Sequence, residues 1–241
     1  MTKRVQLGRL ELGVVPRVVG VLSLPLTMDH LASGWRPRCD VLELRVDLLG
    51  SGMPDWLQRA VELEAEGRPV LVTIRHAREG GHWYGKDVDR LDLYTRILPH
   101  ISAVDFEIRS PGFADLVRRA HAAGKAVVGS FHDFNTLPSD AELRAVMAEG
   151  RAAGADIIKI AAVTQTEADL DHLRTLLTEP RETPLCLLGM GALGPRSRTD
   201  LPAHGSCLTY GYVDEANAPG QLSSTELVDH LTRTLPAYRC S

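Results

Sequence analysis

The chain has 241 residues, 44% hydrophobic and 24% charged, with a formal net charge of −4. That length allows one α/β barrel, at about 250 residues, or two small domains. The acidic balance, scattered basic residues and 5% aromatic content argue against nucleic acid or acidic lipid as a partner.

Met1–Gln6 lead into short polar–apolar alternation rather than the apolar core of a leader, and no segment approaches the roughly 18 apolar residues of a membrane span. A cytoplasmic, reduced protein without a membrane partner is expected. Cys39, Cys186, Cys207 and Cys240 lack C-x-x-C spacing, and no histidine falls at a zinc-ligand interval from them, so no metal site is expected. Cys186 and Cys207 sit in apolar runs and read as buried thiols.

In chain order, Val5–Leu7 and Glu11–Val15 flank Gly8-Arg9 as a hairpin. Aliphatic, strand-like runs then recur at Val18–Leu22, Val41–Val46, Val70–Ile74, Ala103–Ile108, Ala126–Phe131, Ile157–Ala161, Leu185–Leu188 and Ser206–Leu208. Helix-like segments lie between most of them: Pro54–Glu66, Val88–Leu98, Phe113–Ala123, Ala141–Ala153, Glu167–Leu177 and Thr225–Leu235. Ser139 and Glu142 have capping-box spacing, and Gly67, Gly124 and Gly154 follow helical patterns where left-handed caps belong. Strand–helix steps without a composition break predict a (β/α)₈ TIM barrel, one domain over residues 1–241, with the hairpin closing its bottom.

Strand side chains alternate between faces. Glu43, Arg45 and Asp47 fall opposite Leu42 and Leu44, and Thr73 and Arg75 fall opposite Val70, Val72 and Ile74. Asp105 and Glu107 oppose Val104, Phe106 and Ile108, while Ser130 is in phase with His132, and Ile157 with Lys159 and Ala161. A barrel has no edge strand to expose these polar faces to water, so they point into the lumen, toward the strand C-termini where barrel enzymes place their sites. Glu43, Asp47 and Glu107 oppose Arg45, Arg75 and Lys159, with His132 neutral, which is a paired and tolerable cluster. Lys159 stands out: an ammonium among branched aliphatics is costly unless paired or neutralised. Its free amine is the form that attacks a ketone or aldehyde.

Several segments together resemble the type I 3-dehydroquinate dehydratases. They are Glu43-Leu44-Arg45-Val46-Asp47, Thr73-Ile74-Arg75 with Glu79-Gly80-Gly81, Ser130-Phe131-His132-Asp133-Phe134, Lys159-Ile160-Ala161, Met190-Gly191 with Ser197-Arg198, and Thr209-Tyr210-Gly211 with Ala218-Pro219-Gly220-Gln221. The resemblance implies a barrel that dehydrates 3-dehydroquinate to 3-dehydroshikimate in the shikimate pathway, without metal or organic cofactor. It assigns Lys159 the imine, His132 the general acid–base role and Glu79 the orientation of that histidine. It assigns the substrate carboxylate to Arg198, in a stretch expected to rise over the barrel mouth. Glu43, Arg45, Arg75, Asn217 and Gln221 take further substrate contacts. Members are often dimers, so a homodimer is one expected assembly. Two positions depart from the common pattern: Leu137 precedes Pro138 where the family usually has threonine, and Asn217 stands where it has a hydroxyl residue. Asp133 reads as structural, His76 and His82 as solvated loop residues, and Met190 as wall packing. Two competing readings are a class I aldolase, which also uses a lysine imine, and a non-enzymatic sensor of dehydroquinate. The histidine–glutamate pair with Arg198 fits the aldolase less well, and intact Lys159 and His132 count against the sensor.

Overall fold

The computed structural model describes residues 3–13, 15–24, 30–31, 33–49, 55–216 and 221–239. β1 (Val5–Leu7) and β2 (Leu10–Leu12) pair antiparallel. Eight parallel strands follow: β3 (Arg17–Leu22), β4 (Val41–Arg45), β5 (Val70–Thr73), β6 (Ala103–Glu107), β7 (Ala126–Asp133), β8 (Ile157–Val163), β9 (Leu185–Met190) and β10 (Leu208–Tyr212). Their order is β10-β3-β4-β5-β6-β7-β8-β9, so the sheet curls until its last strand pairs with its first. Helices Trp56–Ala65, Asp87–Ile97, Phe113–Ala122, Asp140–Ala153, Glu167–Thr178, Gly194–Asp200 and Ser224–Thr234 cover the outside, giving a (β/α)₈ TIM barrel. Among the described residues no helix is long and apolar enough to cross a membrane.

Alternation along the strands builds two cores. Leu42, Leu44, Val72, Val104 and Phe106 pack under the helices, while Val41, Leu71, Val128, Ile157 and Cys186 fill the lumen. Val5, Leu7, Leu10 and Leu12 join the lumenal set, so the hairpin plugs the N-terminal end of the barrel as expected. Chemistry is thereby confined to the C-terminal mouth.

The β9–β10 seam is joined differently from the other strand pairs. Among the described residues no ladder connects these strands. Ser206 Oγ instead accepts from Leu187 N at 3.0 Å and donates to Leu208 O at 3.1 Å, while Cys207 N donates to Leu185 O at 2.8 Å. Because the Ser206 side chain occupies a ladder position, the strand expected at Ser206–Leu208 begins at Leu208 and runs on to Tyr212.

Other strand ends also shift. β4 stops at Arg45, one residue short, because Val46–Leu49 forms a helical turn. β5 stops at Thr73 because side chains capture the next two backbone donors: Ile74 N bonds Tyr94 Oη at 2.7 Å and Arg75 N bonds Asp47 Oδ1 at 3.1 Å. β7, β8 and β9 run two residues further than their aliphatic cores. The Ser139–Glu142 box is half formed: Ser139 Oγ accepts from Glu142 N at 3.3 Å, while the Glu142 carboxylate binds Arg109. The glycines behave as expected, with positive φ at Gly67, Gly124 and Gly154.

The candidate active site

The mouth of the barrel holds a cavity of about 120 Å³. Glu43, Arg45, Arg75, Glu79, His132, Lys159, Arg198, Tyr210 and Gln221 line it, together with Val21, Gly80, Phe134, Ala161, Leu188 and Met190. Eight of the nine expected site residues therefore meet in one place; Asn217 lies outside the described residues. A larger cavity of about 260 Å³ opens among Gly13, Val15, Pro184, Pro202 and Arg181. Arg181 there is engaged by the carbonyls of Leu177, Glu179 and Gly205, and no acid–base pair stands among the lining residues, so chemistry rather than size marks the site.

Lys159 is 5% exposed. Its Nζ donates to Asp105 Oδ2 at 3.0 Å and sits 4.2 Å from the centroid of the Tyr210 ring. Register places it directly: Ser130 pairs with Lys159, and Lys159 with Cys186. Asp105 Oδ1 accepts from Arg75 Nη2 at 2.6 Å and from Ser130 Oγ at 2.6 Å. Burial alone would raise the Asp105 carboxyl, but the Arg75 and Lys159 charges override it and hold the group well below the usual carboxylate range.

The charge chain continues outward. Arg75 Nη1 donates to Glu107 Oε1 at 3.0 Å, and Glu107 Oε2 accepts from Arg90 Nη1 at 2.6 Å. Arg90 is fully buried under the barrel wall, over the Phe106 ring at 3.9 Å. Removing one member of such a buried set typically costs about 3–5 kcal/mol, because its partner is left charged and unpaired. Arg75, expected among the substrate contacts, thus binds Asp105, Glu107 and Ser130. Glu43 similarly accepts from Thr73 Oγ1 at 2.6 Å, and Arg45 grips Asp47 through Nε at 3.0 Å and Nη2 at 2.8 Å.

His132 lies near the end of β7, and its Nδ1 meets Glu79 Oε2 at 2.9 Å. The same oxygen accepts from His132 N at 2.9 Å. Glu79 reaches that position through a doubled-back turn. Gly80 takes φ +75°, and Gly81 packs so closely on Arg75 that an added Cβ would collide with its carbonyl oxygen. The Gly80-Gly81 pair is therefore turn geometry, as expected. Burial, reinforced by the Arg75 and Lys159 charges, pushes His132 well below its ordinary value and keeps the ring neutral. Burial pushes Glu79 up to about 7 against the pull of Arg75. With Nδ1–H donating to Glu79, Nε2 keeps its lone pair. Phe134 stacks on the imidazole with centroids 6.3 Å apart.

Arg198 enters the cavity wall from an unexpected direction. Rather than rising over the mouth, it sits in helix Gly194–Asp200 and is 6% exposed. Its Nε donates to Tyr210 O at 3.1 Å, and Nη1 donates to Gly189 O and Gly194 O at 2.9 Å each. These bonds also clamp β9 to β10. No carboxylate among the described residues pairs with it, and burial pulls its guanidinium down to about 10. A buried cation without a neutralising carboxylate, its Nη2 free of any acceptor among the described residues, is suited to an anionic ligand.

The remaining expectations divide cleanly. Asp133 is structural, its Oδ1 accepting from Asn135 N and Thr136 N. His82 is exposed, whereas His76 caps its own turn by accepting from Arg78 N, and Met190 borders the cavity. Cys186 and Cys207 are buried free thiols, Cys186 pushed up to about 12 by burial. The residue the charge pairing omits is Asp105. Alternation puts it on the lumen face, but only the register of β6 against β7 brings it to Arg75 and Lys159. Thr73, Ser130 and Tyr210 are likewise legible as lumenal without revealing their partners. Among the described residues no three metal-ligating side chains are gathered.

Comparison with known proteins gives a consistent picture. The family model for type I 3-dehydroquinase matches residues 26–234. The 3-dehydroquinate dehydratase of Methanosarcina barkeri is 33% identical over 234 residues, covering 92% of this chain and 96% of that protein. That of Methanocella arvoryzae is 36% identical over 218 residues, covering 90% and 95%. The type I 3-dehydroquinate dehydratase of Clostridium difficile, solved with covalently modified comenic acid, superposes with a TM-score of 0.88 at 25% identity, covering 99% of this chain and 100% of that one. A family match over most of the chain, with relatives above 30% identity along nearly their whole length, shows that it belongs to the type I 3-dehydroquinase family.

Proposed function

We propose that this protein dehydrates 3-dehydroquinate to 3-dehydroshikimate through an imine on Lys159, with His132 as general acid–base. The observation that carries this reading is one cavity bordered by a buried lysine, a neutral histidine held by a carboxylate, and an arginine without a carboxylate partner among the described residues. A β-hydroxy ketone loses water slowly because the carbanion beside the ketone is poorly stabilised. Condensation with the Lys159 amine releases one water and leaves a protonated imine, an electron sink for that carbanion. His132 Nε2 takes the proton beside the imine and returns it to the departing hydroxyl, which leaves as water. A further water then hydrolyses the imine, freeing product and lysine, so the net change is loss of one water.

Glu79 fixes the imidazole through Nδ1, and the Nη2 edge of Arg198 receives the substrate carboxylate. Arg75 and Asp105 hold Lys159 in place. Glu43, Arg45, Asn217 and Gln221 complete the contacts to the substrate. No metal or organic cofactor takes part in this reading. We assign the work to one barrel domain over residues 1–241, acting in the cytoplasm on a small-molecule substrate, with a homodimer as one expected assembly.

Borohydride reduction during turnover tests the mechanism. The expected result is loss of activity with substrate attached permanently to Lys159, because an imine is reducible whereas a merely bound ketone leaves no adduct. Peptide mapping that found the adduct on another lysine, or none during active turnover, would overturn it.

A further inference from the structure

Tyr210 borders the cavity and carries an unexplained polar atom. Its hydroxyl is buried and has no hydrogen-bond partner among the described residues. Three other buried atoms share that condition, the Nε atoms of Arg17, Arg90 and Arg181. Each of those guanidinium groups bonds a carboxylate or a carbonyl through another of its nitrogens, and none of the three borders this cavity. For Tyr210 the orphan is the side chain's only polar group. Buried hydroxyls are normally satisfied, so an unsatisfied one at a reactive lysine calls for a functional reason.

The surroundings of Lys159 supply acceptors but few donors. Asp105 is an ionised carboxylate that accepts from Nζ. The Thr73 hydroxyl donates to Glu43, and the Ser130 hydroxyl donates to Asp105. Arg75 Nη1 and Nη2 are engaged by Glu107, Ser130 and Asp105. When an amine adds to a ketone, however, negative charge develops on oxygen, and that oxygen needs a donor. The phenol stands at the rim of the ring that Nζ covers. Tyr210 borders the cavity and its ring centroid lies 4.2 Å from Nζ, so its phenol is an unengaged donor beside the carbon that Nζ attacks. Burial, with the neighbouring Cys186 and Glu43, pushes the phenol well above its ordinary value, so it stays protonated.

We propose that the Tyr210 hydroxyl is a further catalytic group: it donates a hydrogen bond to the oxygen on the carbon that Lys159 attacks, first the ketone oxygen and then the hydroxyl of the tetrahedral adduct. Tyr210 keeps its proton throughout. The nitrogen–carbon bond forms as the carbonyl π pair moves onto oxygen. Two protons shed in turn by the nitrogen, the first from the Lys159 ammonium before attack and the second from the adduct, reach that oxygen through His132, so it leaves as water and the imine keeps one proton. The proposal rests on the Lys159 reading above and adds a donor to it.

Tyr210→Phe removes the hydroxyl and keeps the ring under Nζ. The variant should fold with an unchanged or higher melting temperature, since an unsatisfied buried group has been deleted. Its rate of borohydride-trapped adduct formation on 3-dehydroquinate, and its kcat/KM, should both fall by about 10²-fold, the loss usual for one such donor. Mapping the wild-type adduct in parallel separates the two readings. A wild-type adduct at Lys159 with a Tyr210→Phe trapping rate within about twofold of wild type would overturn this proposal alone, being far short of the loss one donor brings. A wild-type adduct elsewhere would overturn the lysine assignment and this proposal with it.

Discussion

Replacing Glu79 with glutamine should make the protein more stable and less active, and the stability gain should depend on pH. Glu79 is half-buried beside His132, with a side chain 14% exposed, and this partial burial lifts its carboxyl from 4.5 to about 7. The folded protein therefore holds this proton up to about pH 7, while the unfolded chain releases it near 4.5. Between those values the native state binds more protons, so stability falls as pH rises through the window and is level above it. The accumulated loss above that window is about 3 kcal/mol. The amide introduced by Glu79→Gln would keep an oxygen to accept from His132 N and Nδ1 but would not titrate. Urea unfolding should then show the variant only slightly ahead at about pH 5 and about 3 kcal/mol ahead at about pH 8. His132, whose own value is lowered, contributes in the opposite sense: its stability is present above its ordinary 6.5 and lost as pH falls below it. Because His132 is common to both proteins, comparing them isolates Glu79. In the wild type, kcat/KM should decline as pH drops through about 7, when Glu79 gains its proton and ceases to hold the imidazole as a carboxylate. The variant should lose that limb along with most of its rate. An equal stability gap at the two ends of the window would refute the argument.

Three further outcomes follow from the geometry. His132→Ala should lower turnover by about 10²–10⁴-fold while adduct still accumulates slowly on Lys159; near-normal turnover in steady-state assays would remove His132 from the proton-transfer role. Arg198→Lys keeps the charge but removes the planar fork that holds three carbonyls and offers Nη2 to a carboxylate. We expect a large rise in KM with a fall in kcat, and unchanged constants would move the carboxylate elsewhere. Ser206→Ala should leave Leu187 N unpartnered in the β9–β10 seam, costing about 1–3 kcal/mol in denaturant titration, with little effect on KM; an unaffected stability would mean the seam does not depend on that hydroxyl.

Much of this protein is legible in the order of its residues. Period-two alternation assigns the faces of β4 to β8 correctly, because in a strand the side-chain direction is set by backbone geometry alone. The same rule sends Lys159, His132 and Arg75 into the lumen and places Asp133 outside the chemistry. Caps at Gly124 and Gly154 are legible for the same local reason: only glycine takes positive φ cheaply. Where a strand stops is less local. β5 ends because Tyr94 and Asp47, from distant segments, capture its next two N–H groups. The helix Gly194–Asp200 opens with glycine and proline and has no apolar periodicity, so neither it nor the direction from which Arg198 reaches the cavity can be read from the chain. Partner choice is not local at all. The Asp105 carboxylate meets Lys159 and Arg75 only because staggered register across β5, β6, β7 and β8 brings their side chains to one point, and pairing energies depend on that distance and on the dryness around it. Residue identity thus determined which groups enter the barrel, and tertiary structure decided which of them touch, since register and burial are properties of the assembled sheet.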